Sequence, residues 1–133
     1  MKKTFLLSSA LMFAMAISEA QTIPNSGLES WTKMGNYNNP DSWSCLNNMT
    51  SQMNSYTCTK GTPGNPGTAY LKLTSKTVSG MGVVPGIAVC GVLDTATKQA
   101  ISGFAFSTRP ASFTGKWQHM IYGSSQGSVL VTL

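Results

Sequence analysis

Few residues in this sequence have side chains able to do chemistry. There is one histidine, His119, one arginine, Arg109, and three cysteines, Cys45, Cys58 and Cys90. After residue 20 only three acids remain: Glu29, Asp41 and Asp94. Glycoside hydrolysis takes two carboxyl groups about 5–10 Å apart, one protonated and one ionised. Asp41 follows Asn39-Pro40 and Asp94 closes an apolar run, both settings in which an aspartate bonds its own turn. A glycoside hydrolase is therefore disfavoured. His119 is a single base with no G-x-S-x-G elbow and no cysteine beside it in sequence, so nucleophilic catalysis is unsupported too. The expectation is a protein that is not an enzyme.

Binding asks for less. An aromatic ring packs against the C–H face of a sugar, while amides and guanidinium groups bond its hydroxyls. Trp31, Trp43, Trp117, Tyr37, Tyr56, Tyr70 and Tyr122 are available, among many asparagines. Trp31 and Trp43 flank turns and are expected to be core. The segment KWQHMIY alternates, placing Trp117, His119 and Ile121 on one side and Lys116, Gln118, Met120 and Tyr122 on the other. The second, mixed face suits a shallow binding surface, whereas His119 is expected to be a half-buried structural residue. Pro110 stiffens Arg109 in extended geometry. Arg109 is expected to brace a corner, against carbonyls or against Glu29 or Asp94, with sugar contact as its alternative role. The candidate carbohydrate-binding residues are thus Arg109, Lys116, Trp117, Gln118 and Tyr122.

Cys45 and Cys58 enclose a short loop and form the candidate disulfide, which leaves Cys90 buried or free. Sequence alone does not fix the pairing. With no C-x-x-C spacing, a zinc site on these cysteines and His119 is not supported.

Residues 1–20, MKKTFLLSSALMFAMAISEA, have two lysines, an apolar stretch and small residues before Gln21, the pattern of a secretory signal peptide. The apolar part is shorter than the roughly 20 residues of a membrane span. A secreted, periplasmic or cell-surface location follows as the expectation, in a compartment where disulfides form. Removing those residues from the 133 leaves 113, one small domain at 21–133. Seven basic residues against three acids give that domain a formal charge of +4. The basic residues are scattered singly, which argues against a nucleic-acid partner.

The positioning elements read as strands and turns. Turn signals stand at Asn25-Ser26-Gly27 and at Asn38-Asn39-Pro40-Asp41, with KGTPGNPG at 60–67 an exposed loop. Ala69, Leu71 and Leu73 alternate with polar neighbours, the period of a half-buried strand. VVPGIAVCGVL at 83–93 is apolar throughout and bent at Pro85-Gly86 and Gly91, a strand pattern and not a helical one. Further strands are expected at 100–107, 116–122 and 128–133, with turns at 94–99 and 123–127. No 3.6-residue apolar period follows the leader. The fold class is all-β, an antiparallel β-sandwich or jelly-roll.

IPNSGLESW, NNPDSW, the apolar strand containing Pro85-Gly86, and GFAFSTRPASFTGKWQHMIYGSSQGSVLVTL together resemble the carbohydrate-metabolism domain family of secreted and surface Bacteroidetes proteins. The opening also resembles jelly-roll carbohydrate-binding modules through Asn25, Gly27, Leu28, Glu29 and Trp43. The resemblance implies that 21–133 is the N-terminal part of a longer domain, so that the sandwich is incomplete. It also implies a role near polysaccharide metabolism and a structural calcium on Glu29, whose other acidic ligands would lie past residue 133. The reading is a non-catalytic carbohydrate-binding module with a polysaccharide or glycan as partner, working beside other surface glycan-processing proteins. Its rival is a structural or adhesive surface protein without sugar affinity.

Overall fold

The computed structural model describes residues 21–133. The expected signal peptide, residues 1–20, lies outside the described residues. Trp31–Met34 (β1) turns at Gly35 and pairs antiparallel with Tyr37–Pro40 (β2), Trp31 opposite Pro40 and Met34 opposite Tyr37. Gly35 has φ +66°, a conformation glycine reaches without a Cβ clash. The turn expected at Asn38–Asp41 is corrected: its first three residues are strand. Pro40 stands at the end of the ladder, where a missing N–H is tolerated, and the chain turns at Asp41-Ser42.

Trp43–Cys45 (β3) leads into a helical turn, Asn47–Thr50 (α1), continued as a 3₁₀ turn at Ser51–Met53. The sequence pattern had predicted no helix. A single turn needs no amphipathic repeat, and burial of Leu46 and Asn47 holds this one. Cys58–Gly61 (β4) pairs with Tyr70–Leu73 (β5), and Lys76–Val78 (β6) with Gly82–Val84 (β7). Ala88–Cys90 (β8) returns to β3, with Trp43 opposite Cys90 and Cys45 opposite Ala88. Val92–Asp94 (β9) and Gln99–Ser102 (β10) close a last hairpin. The breaks at Pro85-Gly86 and Gly91 fall where expected. So does the turn after Asp94, whose Oδ1 accepts from Ala96 N at 2.9 Å and Oδ2 from Thr97 Oγ1 at 2.8 Å.

Strands thus far outweigh helix among the described residues, in keeping with an all-β chain, and are arranged as two-stranded antiparallel pairs. Leu46, Val78, Val84 and Leu93 are buried together, with Ile87 and Val89 packed against them. Trp31 and Trp43 are not in that core. Both are half-buried, and their indole N–H groups donate to Leu28 O at 2.5 Å and Pro24 O at 3.1 Å, tying the opening segment to β1 and β3. On β5, Ala69 is buried beside the strand while Leu73 is exposed, so the predicted inner face is only partly covered.

The largest correction concerns residues 103–133. The strands expected at 116–122 and 128–133 are not formed, and the one expected at 100–107 ends at Ser102. None of the two-stranded ladders takes this segment up as a third strand. Its apolar side chains stay at the surface, with Tyr122 77% and Leu130 88% exposed. Phe104 and Phe106 meet edge to face at 5.7 Å. Gln21 anchors the start of the segment, its Nε2 donating to Ala105 O at 2.8 Å and its Oε1 accepting from Ser107 N at 2.6 Å.

Candidate functional site

The five residues singled out for sugar contact all lie on the segment without strands, and all are exposed. Lys116 Nζ donates to Asn65 Oδ1 at 2.9 Å, docking it on the 62–69 loop. Trp117 and His119 have ring centroids 5.4 Å apart and planes tilted by 41°. His119 is therefore an exposed ring beside an exposed tryptophan and not the half-buried residue expected. The Tyr122 hydroxyl donates to Met120 Sδ at 3.0 Å. Arg109 braces neither acid proposed for it, since Glu29 and Asp94 are both engaged elsewhere. Lys116, Trp117, Gln118 and Tyr122 are thus exposed neighbours on one stretch of chain.

A concave site does form elsewhere. Where β2 passes β4, Asn36, Tyr37, Asn38, Tyr56, Cys58, Thr59 and Lys60 line a cleft of about 230 Å³. That is below the roughly 300–1,000 Å³ of enclosed small-molecule sites and suits shallow contact with a few rings. The Tyr37 and Tyr56 rings are 6.4 Å apart and tilted by 33°. Both are half-buried, so one side of each pair member packs while the other meets solvent. Burial pushes the Tyr37 hydroxyl above its ordinary range, with Cys45 nearby adding to the effect, which keeps it a neutral donor.

Asn47 builds the wall that carries Tyr56. Its side chain is fully buried. Its Oδ1 accepts from Thr57 N at 2.9 Å and Cys58 N at 3.1 Å, and its Nδ2 donates to Cys58 O at 2.6 Å. One side chain thereby replaces a strand neighbour for the residues just after Tyr56. On the opposite wall Asn36 Nδ2 donates to Ser51 O at 3.3 Å.

The expected Cys45–Cys58 disulfide is not formed, and all three cysteines stand as thiols. The pairing reading nevertheless found neighbours. The proximity of the Cys45 sulfur and burial raise the Cys58 thiol, and Cys58 lowers Cys45. Cys45 in turn donates to Asn39 Oδ1 at 2.9 Å. Cys90 is half-buried, 3.9 Å from Pro24 O.

Glu29 was the calcium candidate. Its Oε1 accepts from Thr68 N at 2.8 Å and Ala69 N at 3.0 Å, and its Oε2 accepts from Thr68 Oγ1. Those bonds, the Thr68 hydroxyl foremost, hold its carboxyl below the usual carboxylate range. Calcium takes six to eight oxygens, several of them carboxylate or carbonyl. No group of three or more His, Cys, Asp or Glu stands together among the described residues, and the Glu29 oxygens face the Thr68 and Ala69 donors. Its visible work is to clamp the 62–69 loop to the opening segment.

Sequence reasoning passed over the cleft because its two tyrosines are far apart in the chain and β2 was read as a turn. The signal available was Tyr37 and Tyr56, each beside asparagine or hydroxyl residues. Comparison with protein-family models, with curated proteins and with solved structures gave no match to this chain. No helix of the described residues is long and apolar enough to cross a membrane.

Proposed function

We propose that this chain is an exported, non-catalytic carbohydrate-binding module whose binding site is the Tyr37–Tyr56 cleft. The observation that carries the reading is the two half-buried rings set beside the Asn36 and Asn38 amides and Lys60. Rings supply the apolar platform and amides the hydroxyl partners that a sugar loses on leaving water. Binding is favoured over hydrolysis because no carboxylate lines the cleft. Outside it, Glu29 accepts from the 62–69 loop, Asp94 from its own turn and Asp41 Oδ1 from Thr32 Oγ1 at 2.7 Å. In this reading the paired strands are the parts of an antiparallel sandwich of the jelly-roll kind.

The rival is a structural or adhesive surface protein, favoured by the exposed apolar side chains of Val129, Leu130 and Leu133. Affinity electrophoresis of the folded protein through gels containing neutral and charged polysaccharides separates the two. Retardation by at least one polysaccharide is expected, weakened about tenfold by Tyr37→Ala or Tyr56→Ala, the worth of one lost ring contact. Free migration of the folded protein through every gel would leave the adhesive reading.

A further inference from the structure

We infer that the Tyr37–Tyr56 cleft selects an acidic glycan, a uronate- or sulfate-bearing oligosaccharide, with Lys60 as its anion contact. The inference rests on the carbohydrate reading above and adds the substrate class.

Lys60 is the one lining residue with a permanent charge, and it is exposed at the cleft edge. It lies two positions from Cys58 on β4, so both project from the same face of that strand, Cys58 where it is covered and Lys60 where it is exposed. Lys60 is near enough to add slightly to the lowering of the Glu29 carboxyl, whose two oxygens already accept from Thr68 and Ala69. Asp41 is bonded to Thr32, and Asp94 to Ala96 and Thr97. Each acid of the described residues is thus committed locally, and the Lys60 ammonium is left to solvent. A neutral sugar needs hydrogen-bond donors of the kind Asn36 and Asn38 already supply. A compact ammonium adds most when its partner is an anion, through a charge-assisted bond about twice as strong as a neutral one. The seven basic residues against three acids in residues 21–133 give a positive field that acts in the same direction. Uronates and sulfate esters share this chemistry, and the probes below distinguish them.

Calorimetric titration of the folded protein with three oligomers of equal length tests the inference: galacturonic acid, sulfated galactose and uncharged galactose. At low salt one or both acidic oligomers should bind about tenfold more tightly than the neutral one. That advantage should shrink at about 0.5 M salt, where exposed charges are screened. Lys60→Met should bring the acidic oligomers down to the affinity of the neutral one, whereas Lys60→Arg should keep the preference. Equal affinity for acidic and neutral oligomers, or a preference that survives Lys60→Met, overturns the inference and leaves the carbohydrate reading standing. Tighter binding of a thymidine oligonucleotide than of either acidic sugar also overturns it. No binding of any sugar by the folded protein overturns the carbohydrate reading and this inference with it.

Discussion

The Asn47 side chain holds Cys58 from both of its backbone groups, donating to the carbonyl at 2.6 Å and accepting from the amide at 3.1 Å. Geometry of that kind is what a neighbouring strand would supply, and the same oxygen also takes the Thr57 amide at 2.9 Å. Asn47→Ala leaves these backbone groups buried without partners, at about 1–3 kcal/mol for each one not rescued by water. A loss of about 3 kcal/mol is expected, read as a lower midpoint in urea denaturation with unchanged slope. An Asn47→Ala protein as stable as the parent would show that Asn47 does not hold this wall.

Thr57, next along, carries the opposite defect. Its hydroxyl is buried and has no hydrogen-bond partner, while its amide is held by Asn47. Replacing it by valine keeps the shape and removes the unsatisfied group. Thr57→Val should therefore stabilise the protein by up to about 1 kcal/mol, measured in the same denaturation series. Marked destabilisation would mean that the hydroxyl has a partner, such as an internal water.

These two residues show where the sequence was legible and where it was not. The loop between β4 and β5 starts at residue 62 and not at the expected 60, because Lys60 and Gly61 pair with Leu71 and Tyr70. That loop, the strand that follows it, the breaks at Pro85-Gly86 and Gly91 and the Asp94 turn were readable because each depends on local backbone chemistry. Asn47 was invisible because its partners lie ten and eleven residues on and are backbone atoms, which no side-chain pattern encodes. Tyr37 and Tyr56 meet only because β2 passes β4, a tertiary fact. At the C-terminal end the alternation of Lys116–Tyr122 was real as a pattern. Alternation makes a strand only where another strand offers a partner, and there it has none.

Glu29 should give the protein a specific acid sensitivity. Its carboxyl is held below the ordinary 4.5, first by the Thr68 hydroxyl and then by the Ala69 amide. Because the folded state lowers this pKa, the clamp contributes fully above 4.5 and is lost as pH falls through the lower folded value. Glu29→Gln keeps an acceptor but removes the charge. The parent's advantage in urea midpoint over Glu29→Gln should be constant from neutral pH to about 5 and close in more acidic buffer. Asp94 is held low as well, by Thr97 and Ala96, but it is common to both proteins and cancels in the comparison. An advantage that stays constant into strong acid would assign the clamp no role in stability.

Cys45 and Cys58 give the last prediction. Their thiols are both buried and near enough to perturb one another, whereas Cys90 stands half-buried against Pro24. In a glutathione disulfide buffer, exchange would join the two sulfurs, with their two protons and two electrons passing to the glutathione disulfide. A bond closing a loop of this size is worth about 3 kcal/mol, much of it through a more restricted unfolded chain. The oxidised protein should therefore melt higher than the reduced one, by roughly 10 °C or more for a domain of this size. Peptide mapping should find Cys45 linked to Cys58 and Cys90 alkylated on unfolding. A map linking Cys90 to either partner would show that the strand contact between β3 and β8, which sets Trp43 opposite Cys90, is not the arrangement in solution. Since Cys58 also lines the cleft, the same oxidation should stiffen its floor without changing the rings that face the ligand.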